Sequence, residues 1–268
     1  MTIAIVMKID DGIVLATDSA STLWGIKENG EYEIIHTYFN GDKLFNLKKG
    51  SPIGAITWGH GSINNESIST LAKDFRKKFE NEKYTSVKDT AEKFKKFLEE
   101  KITPGISVGF IIAGYSKDEA RPEIFLINVT NGSIPNPVEL NKDDPCSISW
   151  FGQPRFLTRF LLGYDEQIFD ILKANGIEDE VVSNVAAQFK EQLQLNLGEP
   201  AMPIQDAIDL VKFLANLSIS ASRFFPGPQV IGGPVDIAVI TKHEDFKWIE
   251  RKHYYDVNLN LTTGDDKK

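Results

Sequence analysis

Residue 2 of the chain is a threonine, small enough for routine removal of the Met1 that precedes it. Once Met1 is gone, a hydroxyl and a free α-amine belong to the same residue. A threonine hydroxyl is a weak nucleophile and needs a base to take its proton, and an N-terminal amine can be that base. The reference pKa of such an amine, ~7.7 to 8.0, lies near the optimum for general-base work at neutral pH. A retained Met1 would turn the amine into an amide that accepts no proton. The bland alternative is that Thr2 opens a β-strand, which its branched side chain suits.

Other chemistry-bearing residues form weaker patterns. His36, His60, His243 and His253 are scattered without metal-ligand spacing, so no metal site is expected. His60 follows a glycine turn, but Gly59-His60-Gly61-Ser62 is not a nucleophile elbow, because Ser62 lacks that motif's flanking glycines; Ser62 reads as a helix N-cap. Gly232-Gly233 is followed by a strand pattern and not by Lys-Ser/Thr and a helix, so close strand packing explains it better than a phosphate loop. Cys146 is the only cysteine. It excludes an internal disulfide and a Cys-based zinc site, and reads as a structural residue of a reducing compartment.

Formal net charge is −8, and lysines and arginines alternate with acids, so nucleic acid is not an expected partner. The Lys73 to Lys83 run reads as the wet face of a helix. No stretch approaches the ~20 apolar residues of a membrane span, and MTIAIVMKIDDG lacks the pattern of a secretory signal. A cytoplasmic protein without a membrane partner is expected.

Positioning Thr2 falls to the elements around it. With 268 residues, 41% of them hydrophobic, the chain can bury a substantial core. Ile3 to Ile9, an Asp10-Asp11-Gly12 turn and Ile13 to Thr17 have the spacing of a tight hairpin. Tyr32 to Tyr38, Lys43 to Leu47 and Ile53 to Trp58 are further strand candidates. Apolar periodicity predicts amphipathic helices over Ser62 to Glu80 and Ser86 to Lys101. A second β block covers Ile106 to Tyr115, Glu123 to Val129 and Ser147 to Phe151. Two or three helices broken at Gly163 and Asn175-Gly176 fill Arg155 to Leu197, and another spans Pro203 to Arg223, with Phe224-Phe225 in the core or at a subunit contact. Val235 to Thr241 and Lys247 to Glu250 close the fold.

This order, β, αα, β, α, β, suggests an α+β protein with two sheets face to face and helices outside, a four-layer αββα sandwich. A one-sheet α+β domain would give much the same order. One domain is expected over residues 1–260, with a disordered tail over 261–268.

The stretch from Thr2 to Thr22, with a threonine opening a strand, a hairpin after it and Ala16-Thr17-Asp18-Ser19 at its end, resembles the start of a mature proteasome β-subunit. There Ala-Asp-Ser closes the hairpin; here the alanine is shifted one place. Asp42-Lys43-Leu44-Phe45 resembles that family's Lys-Ile or Lys-Leu strand, and Gly54-Ala-Ile-Thr-Trp-Gly59 its glycine-containing strand end. Gly232-Gly-Pro-Val-Asp-Ile-Ala-Val-Ile240 matches its last core strand. On these motifs the chain resembles the proteasome-like N-terminal-nucleophile hydrolases over most of its length, least between residues 130 and 225.

The resemblance implies the αββα fold and threonine-type peptidase chemistry, cleaving amide bonds through an acyl-enzyme on Thr2 without metal or organic cofactor. It implies that Lys43 lies beside Thr2 and disfavours protonation of its amine and hydroxyl, while Asp18 holds the Lys43 ammonium. An extended substrate would pair with backbone at Thr22, and a backbone N–H near Gly59 would stabilise the oxyanion. A peptide or unfolded polypeptide substrate and a ring-like homo-oligomer are implied as well, and an ATPase partner is left open.

The chain also departs from the family. Gly152-Gln153-Pro154 stands where Gly-Ser-Gly is common, and Ser218, Ser220, Ser222 and Arg223 stand where an Asp with a Ser ends the late helix. The stretch between Asp18 and Lys43 is longer than usual, and the helical material at 155–200 exceeds the minimal bacterial subunit. Two other readings therefore remain: a catalytically silent ring subunit of the same fold, and an amidase of the wider class acting on small molecules. Against the first, α-type ring subunits lack the opening threonine and carry a helix before the hairpin.

Overall fold

The apolar run of β1 (Ile3–Ile9) and its antiparallel return, β2 (Gly12–Thr17), are buried at every residue. Strands buried on both faces need a layer on each side, and the rest of the chain supplies both. The computed structural model describes residues 2–253, so the expected disordered tail over 261–268 lies outside the described residues.

After β2 come β3 (Ser21–Ile26) and β4 (Tyr32–Tyr38), then β5 (Leu44–Asn46), β6 (Ile53–Gly59), β7 (Ser62–Ile63) and β8 (Glu66–Ser67). Helices α1 (Ile68–Lys78) and α2 (Val87–Glu99) precede β9 (Val108–Gly114), β10 (Glu123–Val129), β11 (Val138–Glu139) and β12 (Ser147–Gly152). Helices α3 (Arg155–Leu162), α4 (Gln167–Ala174), α5 (Asp179–Leu193) and α6 (Ile204–Ser222) lead to β13 (Asp236–Thr241) and β14 (Asp245–Glu250). Two five-stranded antiparallel sheets result, ordered β12-β1-β2-β13-β14 and β11-β10-β9-β6-β5.

The two-residue period of a strand splits β1 between two cores. Ala4 and Val6 face the second sheet, packing with Ile13, Leu15, Ile56, Ile111 and Ile240. Ile3, Ile5, Met7 and Ile9 face outward under α3 and α6, against Leu157, Leu161, Val211 and Leu214. On the far side, α1 and α2 cover the second sheet with Phe75, Phe94 and Phe97, and Phe94 meets Phe75 and Phe110 edge to face at ring separations of 5.0 Å. The layers therefore run helix, sheet, sheet, helix, as expected.

Local chemistry fixes the element ends. Gly163 caps α3 in the left-handed conformation at φ 79°, and Asn175 and Gly176 end α4. The helix expected from Ser62 starts later: Asn64 and Asn65 take positive φ and fold residues 62–67 into the small β7–β8 ribbon. The N-cap is Ser67, whose side chain accepts from the Thr70 N–H, and not Ser62. Ser67→Ala should lower stability by about 1 kcal/mol, read as a shift in urea midpoint.

Of the two places expected for Phe224 and Phe225, the core or a subunit contact, the first is corrected. Phe224 and Phe225 are not in the core: Phe224 is 85% exposed, and Phe225 is half exposed against Phe156 and Arg155. Helix α6 ends at Ser222, with Arg223 as its C-cap, so both phenylalanines lie beyond it. Strand β3 was not foreseen, because it pairs only with β4 in a separate ribbon and leaves Leu23, Trp24 and Ile26 exposed, so its pattern is not that of a half-buried strand. No helix among the described residues is long and apolar enough to cross a membrane.

Candidate active site

Strand β1 begins one residue after Thr2, and its pairing with β2 sets Ala4 opposite Thr17. That register brings Asp18 level with Ile3. The Ile3 N–H donates to Asp18 Oδ1 at 3.1 Å, and the Asp18 N–H donates to Ile3 O at 3.2 Å. The other carboxylate oxygen accepts from the Ala20 N–H at 3.2 Å and the Gly232 N–H at 2.9 Å.

Lys43, on the segment leading into β5 of the second sheet, reaches across to the same carboxylate. Its Nζ donates to Asp18 Oδ1 at 2.6 Å. Asp18 is 0% and Lys43 7% exposed, so this is an ion pair out of contact with water. Desolvation pushes the Lys43 pKa below the ordinary lysine value, while the Asp18 charge and hydrogen bond act to raise it. The lysine nevertheless keeps a charge-assisted hydrogen bond of the short, strong kind.

Thr2 is 3% exposed and is held from its other side by β12. The Gln153 N–H donates to Thr2 O at 2.7 Å. Gly152 makes the approach possible: its φ is +90°, and an added Cβ would lie 2.1 Å from Thr2 O. Gly152→Ala should therefore destabilise the protein by about 1–3 kcal/mol in urea unfolding and displace Thr2.

The sequence also named Thr22 and Gly59. Thr22 lies in β3 opposite Thr37 and is half-buried. Gly59 ends β6 at φ +96°, and its conformation is tied to Ser107, since a Cβ there would come within 2.6 Å of Ser107 O. His60 completes that tie: its N–H donates to Ser107 O at 3.0 Å, and its Nδ1 accepts from the Ser107 N–H at 3.1 Å. The same turn runs past the start of β3, where a Cβ on Gly61 would lie 3.6 Å from Ser21 Oγ. The turn after β6 and the opening of β3 thus face each other. Among the described residues no cluster of His, Cys, Asp and Glu is arranged to hold a metal ion.

No family model and no curated protein matches the sequence. Among solved structures, Anbu from Hyphomicrobium sp. strain MC1 matches with a TM-score of 0.55 at 15% identity, over 96% of this chain and 91% of that one. A Gly-1 mutant of Anbu from the same organism matches with a TM-score of 0.52 at 15% identity, over 97% and 92%. The chain has the fold of Anbu. This is the proteasome-like, N-terminal-nucleophile hydrolase architecture that the motifs resembled, with sheets flanked by helices.

Within this Anbu-like fold, Asp18 and Lys43 meet directly, and Asp18 is bonded to the backbone of Ile3, the residue after Thr2. Thr22 and Gly59 lie on the two segments that face each other, β3 and the turn after β6. Three contributors carry no role in the sequence reading. The Gly232 N–H completes the Asp18 shell, and Ser19 is fastened beside it by its N–H to Gly232 O at 2.9 Å and its Oγ to Pro234 O at 2.6 Å. The Gly232-Gly233 pair carried the signal but was attributed to strand packing. The Gln153 N–H was missed because a backbone donor leaves no mark in residue type.

Proposed function

We propose that the chain is a threonine-type amide hydrolase whose nucleophile is Thr2 after loss of Met1. One observation carries the reading: the buried Asp18–Lys43 ion pair is hydrogen-bonded to the backbone of the residue next to Thr2. A buried cation there disfavours protonation of neighbouring groups, so it keeps an N-terminal amine available as a base.

In this mechanism the Thr2 amine takes the hydroxyl proton as Oγ attacks the substrate carbonyl. A backbone N–H at the Gly59 turn stabilises the tetrahedral oxyanion, a contribution typically of ~10² to 10³ in rate. The amine then returns its proton to the leaving nitrogen, and an ester on Thr2 remains. Water, deprotonated by the same amine, releases the acyl group. An extended peptide would lie along Thr22 at the start of β3, opposite that turn. We assign peptide or unfolded polypeptide as the substrate class and a ring-like homo-oligomer as the working form.

A silent ring subunit is the second reading, favoured by one observation: Gly152-Gln153-Pro154 carries no hydroxyl side chain where it meets Thr2 through the Gln153 N–H. Intact mass measured before and after an epoxyketone or β-lactone separates the two. The hydrolase reading expects a mass without Met1 and one adduct mapped to Thr2. Retained Met1 without an adduct would favour the silent subunit.

A further inference from the structure

A second ion pair, between the buried Asp236 and the part-buried Lys252, adjoins the first. Asp236 opens β13 opposite Thr17, the residue before Asp18, and is 2% exposed. Its carboxylate accepts from the Lys252 N–H at 3.0 Å and also pairs with the Lys252 ammonium. The same Lys252 Nζ lies 3.5 Å from Asp42 Oδ1. Asp42 is the chain neighbour of Lys43.

The two lysines cross between the sheets in opposite directions. Lys43 leads into the second sheet and reaches Asp18 on the first; Lys252 follows β14 of the first sheet and reaches Asp42 on the second. Removing ions from water is costly and an apolar pair would pack as well, so packing alone does not account for Asp236 and Lys252. Their place does: they brace the segment that carries Lys43 against the strand end that carries Asp18.

We propose that Lys252 is a positioning residue for the site, bridging Asp236 and Asp42 so that the Lys43 ammonium is held at Asp18 beside Thr2. Its meaning for catalysis rests on the Thr2 reading; the bridge itself does not. Among the described residues, the charged groups that act on Lys43 include Asp18 from the end of β2, Asp236 from β13 and Lys252 from beyond β14; Asp42 adjoins it on its own segment, and the Thr2 α-amine joins them once Met1 is lost. Lys252 lowers the Lys43 pKa as a like charge, and Asp236 raises it. Loss of the Lys252 charge by itself acts to raise the Lys43 pKa, whereas release of Lys43 from Asp18 removes the two stronger raising influences and acts to lower it, so the sign of the shift separates positioning from mere charge.

The test compares the full-length wild-type protein with K252M and K252R, each carrying 13C at lysine Cε, with Lys43 assigned through K43R. In K252M the Lys43 titration is expected at lower pH, the sign of an ammonium released from Asp18, and the rate of Thr2 modification by the epoxyketone is expected to fall about tenfold or more, the scale of a misplaced catalytic group. K252R should restore both. A folded K252M with lower stability but an unchanged or higher Lys43 titration and an unchanged labelling rate would overturn the proposal. If wild-type Thr2 takes no adduct, the hydrolase reading fails, and the Lys43 titration alone decides the inference.

D42N covers the case in which K252M does not fold, because it removes the charge at the exposed end of the bridge and leaves an amide oxygen to accept from Ser69 Oγ, which lies 3.2 Å from Asp42 Oδ2. The Thr57 N–H donates to Lys43 O at 2.9 Å and reports on the segment. In D42N its hydrogen exchange should accelerate at least about tenfold while β1 and β2 amides keep wild-type protection. Unchanged Thr57 protection would overturn the proposal.

Discussion

Thr2→Ala is expected to lower amide-bond turnover by on the order of 10⁶-fold, the scale of losing an acyl-transfer nucleophile while binding groups remain. Alanine is also small, so Met1 removal and the free α-amine are retained, and only the hydroxyl and methyl are lost. Thr2 is buried, but its backbone contact to the Gln153 N–H does not involve the side chain. Unfolding in urea should therefore stay within about 1 kcal/mol of wild type. Thr2→Ser keeps the hydroxyl and should keep measurable turnover. Kinetics on an acylated fluorogenic peptide decide the matter: wild-type rates in Thr2→Ala would remove Thr2 from the mechanism.

The largest stability effect is expected from Asp18→Ala. The carboxylate accepts from three backbone N–H groups, of Ile3, Ala20 and Gly232, and from Lys43 Nζ. Its loss leaves a buried ammonium without its counter-charge, a change that typically costs about 3–5 kcal/mol. The Lys43 pKa should fall further, because desolvation would then act without the opposing Asp18 charge. Lys43→Met in the Asp18→Asn background should recover part of the stability, since a neutral pair leaves no buried charge. Turnover should stay low in both variants. Urea denaturation followed by tryptophan fluorescence measures the stability effects. A loss below about 1 kcal/mol in Asp18→Ala would mean that the pair is solvated in solution.

Much of the architecture was legible because it is written in local pattern. The β1–β2 hairpin follows from two apolar runs around Asp10-Asp11-Gly12, and α2 follows from Val87, Ala91, Phe94 and Leu98 on one face with Ser86 as N-cap. Both need only near neighbours to form. Strand β3 failed this test because its apolar residues Leu23, Trp24 and Ile26 point to solvent. The cap at Ser62 failed because two asparagines at positive φ turned the chain first.

By itself the sequence determined that Thr2 could be a nucleophile, that β1 and β2 would form a hairpin at the start of the chain, and that amphipathic helices would cover apolar strands. These depend on residue chemistry and on periods of two and 3.6. Only the tertiary structure decided what surrounds Thr2. The Gly232 N–H reaches Asp18 from 214 residues away, and Lys252 reaches Asp42 from the far end of the described chain. The Gln153 N–H meets Thr2 O because β12 pairs with β1. A backbone donor is common to almost every residue and carries no sequence signature, and a buried ion becomes distinctive only when two sheets close over it and exclude the water that would otherwise solvate it.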